Sequence, residues 1–156
     1  MSVVIGIDPG ATGAIACFVD GELLDVDDMP VADGCVVAAL LRSVLVEFAV
    51  AGFDDRPTVL VEKVHAMPKQ GVASTFKFGR SLGVIEGVVG GLAWPIVWVT
   101  PQEWKKGTGL IGKDKDAARL LAIETWPEHA KTFERKKDVG RADAALIGSY
   151  GIRGAS

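Results

Sequence analysis

Residues that hold zinc or form disulfides are scarce in this chain of 156 residues. It has two cysteines, Cys17 and Cys35, with no CxxC pair, and two histidines, His65 and His129, that are not spaced as metal ligands. Neither a GxSxG nor an HExxH motif occurs, so nothing here supports a serine hydrolase or a zinc protease. Two unpaired cysteines in apolar surroundings predict a reduced, cytoplasmic protein.

Long apolar runs are also missing. No stretch reaches the roughly 18 apolar residues that a membrane helix needs, and the start, MSVVIGID, lacks the basic and small-residue regions of a secretion signal. We therefore expect no membrane association. A hydrophobic content of 49% is enough for a real core, and no linker or repeat interrupts the chain, so residues 1–156 are predicted to form one domain.

The net charge of −3 conceals an uneven distribution. Residues 1–62 contain 11 acidic and 2 basic residues, whereas residues 63–156 contain 9 acidic and 15 basic residues. Many of these basic residues lie in or near predicted loops and helix ends. The asymmetry is typical either of a face that binds a polyanion or of lysines scattered in solvent, and both interpretations stay open at this point.

Apolar periodicity and turn signals predict an α/β protein with the element order βββ-α-β-α-β-α-α. The pair Asp20-Gly21 predicts a hairpin between the second and third strands. The predicted strands are Val3–Asp8, Ala14–Asp20, Glu22–Asp27, Pro57–Glu62 and Ile96–Val99. The predicted helices are Val36–Ala51, Ala73–Leu92, a short one from Thr100-Pro101 through Trp104, Asp114–Trp126 with Asp114 as N-cap, and about Gly140–Tyr150.

The predicted helix Ala73–Leu92 carries a glycine at every fourth position, at residues 79, 83, 87 and 91. Each interior glycine costs a helix about 1 kcal/mol relative to alanine. Four of them on one face make a smooth surface that another backbone can approach closely. We expect this face to pack on the sheet, with a seam between two copies of the chain as the alternative.

Three acidic residues lie where a sheet of this order would form a site. Asp8 ends the first strand in IGIDPGATGAIA, Glu62 ends the fourth strand, and Asp143 lies near the start of the last helix. If the two strands are parallel neighbours, their carboxyl ends meet at one edge of the sheet, where ligand sites gather. Converging carboxylates repel one another unless a cation lies between them, and their oxygen atoms suit Mg²⁺ or Mn²⁺. Each acid alone also fits a simpler role, as a turn residue, an ion pair with Lys63 or a favourable charge at a helix N-terminus.

These segments resemble the RuvC family of Holliday junction resolvases, and most of all its compact phage-type members. The resemblance extends over nearly the whole chain, through IGIDPGATGAIA, VLVEKVHAMPKQG, FKFGRSLGVIEGVV, VTPQEWKK and GRADAALIGSYG. It implies an RNase H-like fold with a mixed five-stranded sheet, and a dimeric, Mg²⁺-dependent endonuclease that cuts four-way and related branched DNA. It also implies two ions in each active site, with Mn²⁺ accepted, and in-line attack of a metal-activated water on a backbone phosphate. The implied location is the cytoplasm of a bacterial cell, such as a phage-infected host.

By this resemblance, Asp8, Glu62 and Asp143 are catalytic metal ligands, with Asp8 bridging both ions. A fourth ligand of the family falls on Gly140, which has no side chain. Asp138, two residues earlier, is the expected substitute as a catalytic residue.

The resemblance also assigns a DNA-binding surface. The family carries an aromatic probe of the junction in the loop after the strand-end glutamate, and in this chain that role would fall to His65 or Met67. A basic residue near the start of the penultimate long helix corresponds to Lys113 or Lys115. The expected DNA-binding residues are Lys63, His65, Met67, Lys69, Lys77, Arg80, Lys105, Lys113, Lys115, Lys136 and Lys137.

Other functions have weaker support in the sequence. Residues 107–113 nearly match the phosphate-binding P-loop motif. However, Asp114 stands where the motif has a hydroxyl residue, and no strand precedes the loop, so no nucleotide cofactor is expected. A sugar-kinase or actin-like ATPase shares the Asp-x-Gly turn after the first strand but needs two such domains. A binding protein that recognises branched DNA without cutting it, and a nuclease of the same fold acting on forks, flaps or RNA–DNA hybrids, stay as alternatives.

Overall fold

The computed structural model describes residues 1–65 and 68–154. The described residues form the strands β1 Val3–Asp8, β2 Ala14–Val19, β3 Glu22–Asp28, β4 Val31–Ala32, β5 Cys35–Val36, β6 Thr58–Glu62 and β7 Ile96–Val99. They also form the helices α1 Ala38–Ala51, α2 Val72–Gly91, α3 Pro101–Gly107, α4 Lys115–Thr125 and α5 Val139–Gly154, with 3₁₀ helices at Pro127–Phe133 and Lys136–Asp138.

The main sheet has five strands in the order β3-β2-β1-β6-β7. Strands β1, β2 and β3 are joined in antiparallel pairs, whereas β6 lies parallel to both β1 and β7. The sheet is therefore mixed, as predicted. The parallel pairing of β1 and β6 brings the carboxyl ends of these two strands to the same edge, which is the condition for a shared site.

Helices cover both faces of the sheet. Ile5 and Ile7 of β1 face α1 and α2, where they join a buried cluster with Leu41, Leu45 and Ile85. The other face is covered by α5, with α4 packed on α5, and its cluster contains Phe18, Leu60, Trp104, Trp126 and Leu146.

Helix α5 lies unusually close to the middle of β1. A Cβ atom at Gly6 would overlap the backbone of Ala144 and Gly148, and one at Gly148 would lie 2.6 Å from the ring of Phe18. Glycine at these two positions therefore lets the helix that carries Asp143 sit directly on the strand that carries Asp8.

Most predicted elements are confirmed, with differences at their ends. The predicted helix Val36–Ala51 begins only at Ala38, because Cys35–Val36 pairs with Val31–Ala32 in a small antiparallel hairpin. The last helix continues beyond the predicted Tyr150 to Gly154. Asp114 caps α4 as predicted, since its side chain accepts a hydrogen bond from the backbone N–H of Ala117 at 3.0 Å.

The expectation that the glycine face of α2 packs on the sheet is wrong. The glycines at 79, 83, 87 and 91 are exposed, and a Cβ atom added at any of them would meet nothing within 4 Å. The buried face is formed by Ser81, Ile85 and Val89, which also recur every fourth residue but lie on the opposite side of the helix. In the described part of the chain, no helix is long and apolar enough to span a membrane.

Candidate metal centre and nucleic-acid cleft

Asp8 is held at the end of β1 by pairing on both sides of the strand. It lies opposite Ala14 of β2, and its neighbour Ile7 pairs with Val61 of β6. The chain then turns through Gly10, which has a φ of 116° that suits glycine, and the backbone N–H of Gly13 donates to the Gly10 carbonyl at 3.2 Å. The turn leaves the Asp8 carboxylate at the edge of the sheet.

Glu62 occupies the matching position at the end of β6. It pairs with Val99 of β7, and the next backbone N–H, that of Lys63, donates to the Val99 carbonyl at 2.7 Å. One carboxylate oxygen, Oε2, accepts a hydrogen bond from the indole N–H of Trp104 at 2.6 Å. The strand end and a buried tryptophan together fix this side chain.

Asp143 comes from the second turn of α5. The small residues around it, Ala142, Ala144 and Ala145, are fully buried and let this turn lie against the sheet. Asp143 therefore lines the same cleft as Asp8.

The three carboxylates lie near enough to influence one another. Burial raises the pKa of Asp8 well above its ordinary value, and the negative charges of Asp143 and Glu62 raise it further. Burial, followed by the charge of Glu62, raises the pKa of Asp143 from 3.8 to about 7. Burial also raises the pKa of Glu62, opposed by the hydrogen bond from Trp104 and by the charge of Lys105. The structure thus brings together the three acids that the sequence predicted.

The donor set fits a hard divalent cation. Among the described residues, no hydrogen-bond donor contacts the side-chain carboxylates of Asp8 and Asp143, and only Trp104 donates to Glu62. Like-charged carboxylates that are partly buried beside one another are stabilised by a cation, and Mg²⁺ or Mn²⁺ completes its shell with water and phosphate oxygens. In the described part of the chain, no group of three or more His, Cys, Asp or Glu side chains is arranged so that it could hold one metal ion. The fit therefore concerns ions held by pairs of carboxylates.

A cleft of about 500 Å³ extends from Asp8 and Asp143 and has a strongly basic lining. Its cationic side chains are those of Lys105, Lys113, Lys115, Lys136 and Lys137. The positive charge of Lys105 lowers the pKa of Asp8, Glu62 and Asp143, against the raising effect of burial. Five of the predicted DNA-binding residues thus line the same cleft as Asp8 and Asp143, and their charges suit a polyanion.

The remaining predicted DNA-binding residues do not line this cleft. The side chains of Lys63, His65, Lys69, Lys77 and Arg80 are exposed elsewhere on the surface. Arg80 points its guanidinium toward the Cys35 sulfur at 3.9 Å. Met67 lies outside the described residues, so its predicted role stays a prediction.

The structure does not bring Asp138 to the cleft. Its carboxylate is buried and accepts bonds from the backbone N–H of Arg135 at 2.9 Å and from the Arg135 guanidinium at 2.9 and 3.1 Å. Burial opposes ionisation, but the bonds from Arg135 outweigh it and hold the pKa of Asp138 below its ordinary value. Asp138 therefore caps a 3₁₀ turn, and its expected role as a metal ligand finds no support in this geometry.

Gly140 lines the cleft but has no room for a side chain. A Cβ atom there would overlap the carbonyl oxygen of Thr12, in the turn after β1. The close approach of this turn to α5 explains why the position is a glycine. The described geometry therefore offers three carboxylates, Asp8, Glu62 and Asp143, without a fourth acid from this part of α5.

The sequence did not identify Trp104 as a residue of the site. The indole is fully buried in the core, yet its edge reaches the cleft and Glu62. The ammonium group of Lys105 lies 5.4 Å from the centre of the Trp104 ring. The only signal in the sequence was the segment VTPQEWKK, in which a tryptophan and a lysine follow a predicted helix start.

Comparison with known proteins gives the same fold. No family model matches the chain. A structure of Thermus thermophilus RuvC in complex with a Holliday junction substrate matches with a TM-score of 0.68 and 20% identity, covering 98% of this chain and 94% of that one. The fowlpox virus Holliday junction resolvase matches with a TM-score of 0.59 and 12% identity, covering 99% of each chain. The RNase H-like fold predicted from the sequence is therefore confirmed.

A sequence relative supports the same resemblance. The chain is 32% identical over 101 residues to the protein named Holliday junction resolvase MOC1, chloroplastic, of Chlamydomonas reinhardtii. The match covers 62% of this chain but only 12% of that much longer protein. The resemblance to Holliday junction resolvases drawn from the motifs is thus found in sequence and in fold.

Proposed function

We propose that this protein is a metal-dependent endonuclease that cuts branched DNA, with four-way junctions as its main substrate. The observation that carries the proposal is the placement of Asp8 and Asp143 in a cleft lined by five lysines, with Glu62 near enough for its charge to raise the pKa of both. The likeness to proteins named Holliday junction resolvases, in sequence and in fold, supports the choice of substrate.

Asp8, Glu62 and Asp143 would hold the divalent cations, for which we propose two Mg²⁺ ions per site with Mn²⁺ as a substitute. When bound, such ions supply an activated water and stabilise the charge that develops on the phosphate. The chain's own contribution is placement: two strand ends and one helix turn keep the carboxylates fixed relative to the sheet.

The lysines of the cleft would hold the DNA backbone on either side of the scissile phosphate. Lys136 and Lys137 lie on the α5 side, and Lys113 and Lys115 lie at the start of α4. Each contact with a phosphate releases counterions from the DNA, so affinity should fall steeply as salt rises. The charge of Lys105 acts on all three acids and offsets part of their repulsion.

A homodimer is part of the proposal, because a symmetrical junction presents two equivalent strands to be cut. The exposed glycine face of α2 offers a smooth surface on which a second copy could lie. Light scattering that gives a monomer at micromolar concentration would contradict this part. We also propose the cytoplasm of a bacterial cell, including one infected by a phage, as the place of action.

The test is cleavage of labelled four-way, forked and linear DNA and of an RNA–DNA hybrid, in Mg²⁺ and in chelator. We expect paired symmetrical nicks on the four-way DNA, only in Mg²⁺. Asp8→Asn should bind the junction without cutting it, whereas the control Asp25→Asn, at an exposed position of β3, should cut normally.

Three outcomes would redirect the proposal. Preferred cutting of forks, flaps or hybrids would assign the site to a sister nuclease of the same fold. Tight junction binding without cleavage by the unaltered protein would indicate a binding protein. Full activity of Asp8→Asn would refute the site itself.

A further inference from the structure

Glu62 differs from the other two acids in having a single strong protein donor. The indole N–H of Trp104 lies 2.6 Å from Oε2, a short distance for a nitrogen donor. Trp104 is fully buried, so packing holds the indole in place, although the bond itself is only partly buried at the edge of the cleft. Oε1 of Glu62 has no donor among the described residues.

The helix that carries Trp104 is fixed at its start. Thr100 caps α3 in a reciprocal arrangement: its side chain accepts from the Glu103 N–H at 3.2 Å, and its own N–H donates to Glu103 Oε2 at 2.7 Å. Pro101 follows at the first helical position. Since β7 ends at Val99, directly before this cap, and Val99 pairs with Glu62, the donor and the acceptor are set by adjoining elements.

The other end of α3 is fixed against the helix that carries Asp143. A Cβ atom at Gly107 would lie 2.8 Å from the ring of Tyr150 in α5. Helix α3 therefore lies between Glu62 and α5, and it cannot shift without disturbing both. The position of the Trp104 indole is thus as well determined as that of the strand ends.

A carboxylate with one oxygen committed to a short N–H bond presents the other oxygen to a cation. Mg²⁺ and Mn²⁺ favour six ligands in near-octahedral geometry, which single carboxylate oxygens satisfy. Ca²⁺ is larger and readily takes both oxygens of one carboxylate. A donor on Oε2 therefore favours the smaller ions and disfavours Ca²⁺.

We propose that Trp104 is a positioning residue that restricts Glu62 to single-oxygen coordination and thereby gives the centre its preference for Mg²⁺ over Ca²⁺. The proposal rests on the proposed function, since it concerns the same carboxylates. It predicts a role for this tryptophan in ion selection that is separate from its packing in the core.

The test compares Trp104→Phe with Trp94→Phe by calorimetric titration of each protein with Mg²⁺ and with Ca²⁺, without DNA. Trp94 is the matched control, because it is also buried and its indole N–H donates to a backbone carbonyl, that of Asp55, at 3.1 Å outside the cleft. Loss of a bond that orients a metal ligand typically costs 10- to 100-fold in metal affinity. We expect Trp104→Phe to bind Mg²⁺ roughly 10-fold more weakly, with Ca²⁺ binding unchanged or tighter, and Trp94→Phe to match the unaltered protein.

A double-mutant comparison separates positioning from packing. If Trp104 acts through Glu62, Trp104→Phe should change the ratio of Mg²⁺ to Ca²⁺ affinity in the unaltered background and leave it unchanged in Glu62→Gln. An equal loss for both ions, or the same change in both backgrounds, would overturn the proposal.

A third measurement needs no substitution of Trp104. In ¹H–¹⁵N spectra of the unaltered protein, the assigned Trp104 indole signal should move during Mg²⁺ titration while that of Trp94 stays in place. A Trp104 signal that does not respond to Mg²⁺ would overturn the proposal even if the Phe variant fails to fold. Absence of any Mg²⁺ binding by the unaltered protein would instead refute the metal centre, and with it the proposed function.

Discussion

Asp143→Asn should make the metal-free protein more stable, although it should abolish cleavage. In the folded chain Asp143 is partly buried, and this burial, followed by the negative charge of Glu62, raises the pKa of its carboxyl from 3.8 to about 7. Repulsion between neighbouring carboxylates lowers the stability of the folded chain. Bound cations, or removal of one of the charges, would relieve this repulsion.

The size of this cost follows from the change in pKa. At about 1.4 kcal/mol for each pH unit, the ionised carboxylate costs roughly 4 kcal/mol of folding stability above pH 7. Asparagine would regain this amount but would bury an amide group without a partner, which costs about 1–3 kcal/mol. We therefore expect a net gain of about 1–3 kcal/mol at pH 8.

The stability of the metal-free protein should change with pH in a definite direction. Between pH 4 and 7 the folded chain retains the Asp143 proton that the unfolded chain has lost, so the stability of the metal-free protein falls as pH rises through this range. Burial and the neighbouring charges of Asp143 and Glu62 raise the pKa of Asp8 in the same direction and add to the fall. The stability of Asp143→Asn should depend much less steeply on pH.

The assay is urea unfolding in chelator at pH 5 and pH 8. Asp28→Asn is the control, because it should change the free energy of unfolding in the opposite direction. A hydrogen bond from Arg141 at 2.8 Å holds the pKa of Asp28 below its ordinary value, so the ionised carboxylate stabilises the folded chain. Removing that charge should lower stability at both pH values. If Asp143→Asn is no more stable than the unaltered protein at pH 8, or if the unaltered protein does not lose stability from pH 5 to pH 8, the electrostatic description of the site is incorrect.

Other substitutions test separate parts of the structure. Gly140→Ala should lower the free energy of unfolding by about 1–3 kcal/mol, because its Cβ overlaps the Thr12 carbonyl; an unchanged urea midpoint would contradict this close approach. Replacing Lys136 and Lys137 by alanine should weaken binding to every DNA shape and reduce the slope of log affinity against log salt by about 1 for each lysine, measured by anisotropy titration; an unchanged slope would remove them from the DNA surface. Gly87→Leu should yield a monomer in light scattering without a lower melting temperature, because it fills an open helix face; a persistent dimer would place the interface elsewhere.

The sequence predicted best those residues whose place in the fold follows from the end of a strand or the start of a helix. β-Branched residues and turn signals predicted β1, β6 and β7, and the parallel placement of β1 and β6 made Asp8 and Glu62 neighbours. Asp143 was predictable because it lies near the predicted start of the last helix, in the segment GRADAALIGSYG that carries the family resemblance. These acids could be identified from the sequence because each lies at or near the end of a regular element.

Other features depended on contacts that no local pattern encodes. The glycines of α2 predicted close packing, yet helical rotation puts the similarly spaced Ser81, Ile85 and Val89 on the buried face. Asp138 had the right charge near the right helix, but a neighbouring arginine binds its carboxylate. The bond between Trp104 and Glu62 joins residues 42 positions apart, and only the pairing of β6 with β7 brings them together.

The most direct test of the metal centre is a crystal structure of the protein soaked in Mn²⁺, with anomalous diffraction to locate the ions. We expect anomalous peaks bounded by the carboxylates of Asp8, Glu62 and Asp143, with the Trp104 indole still on Glu62. Peaks elsewhere, or none at this edge of the sheet at millimolar Mn²⁺, would contradict the proposed centre.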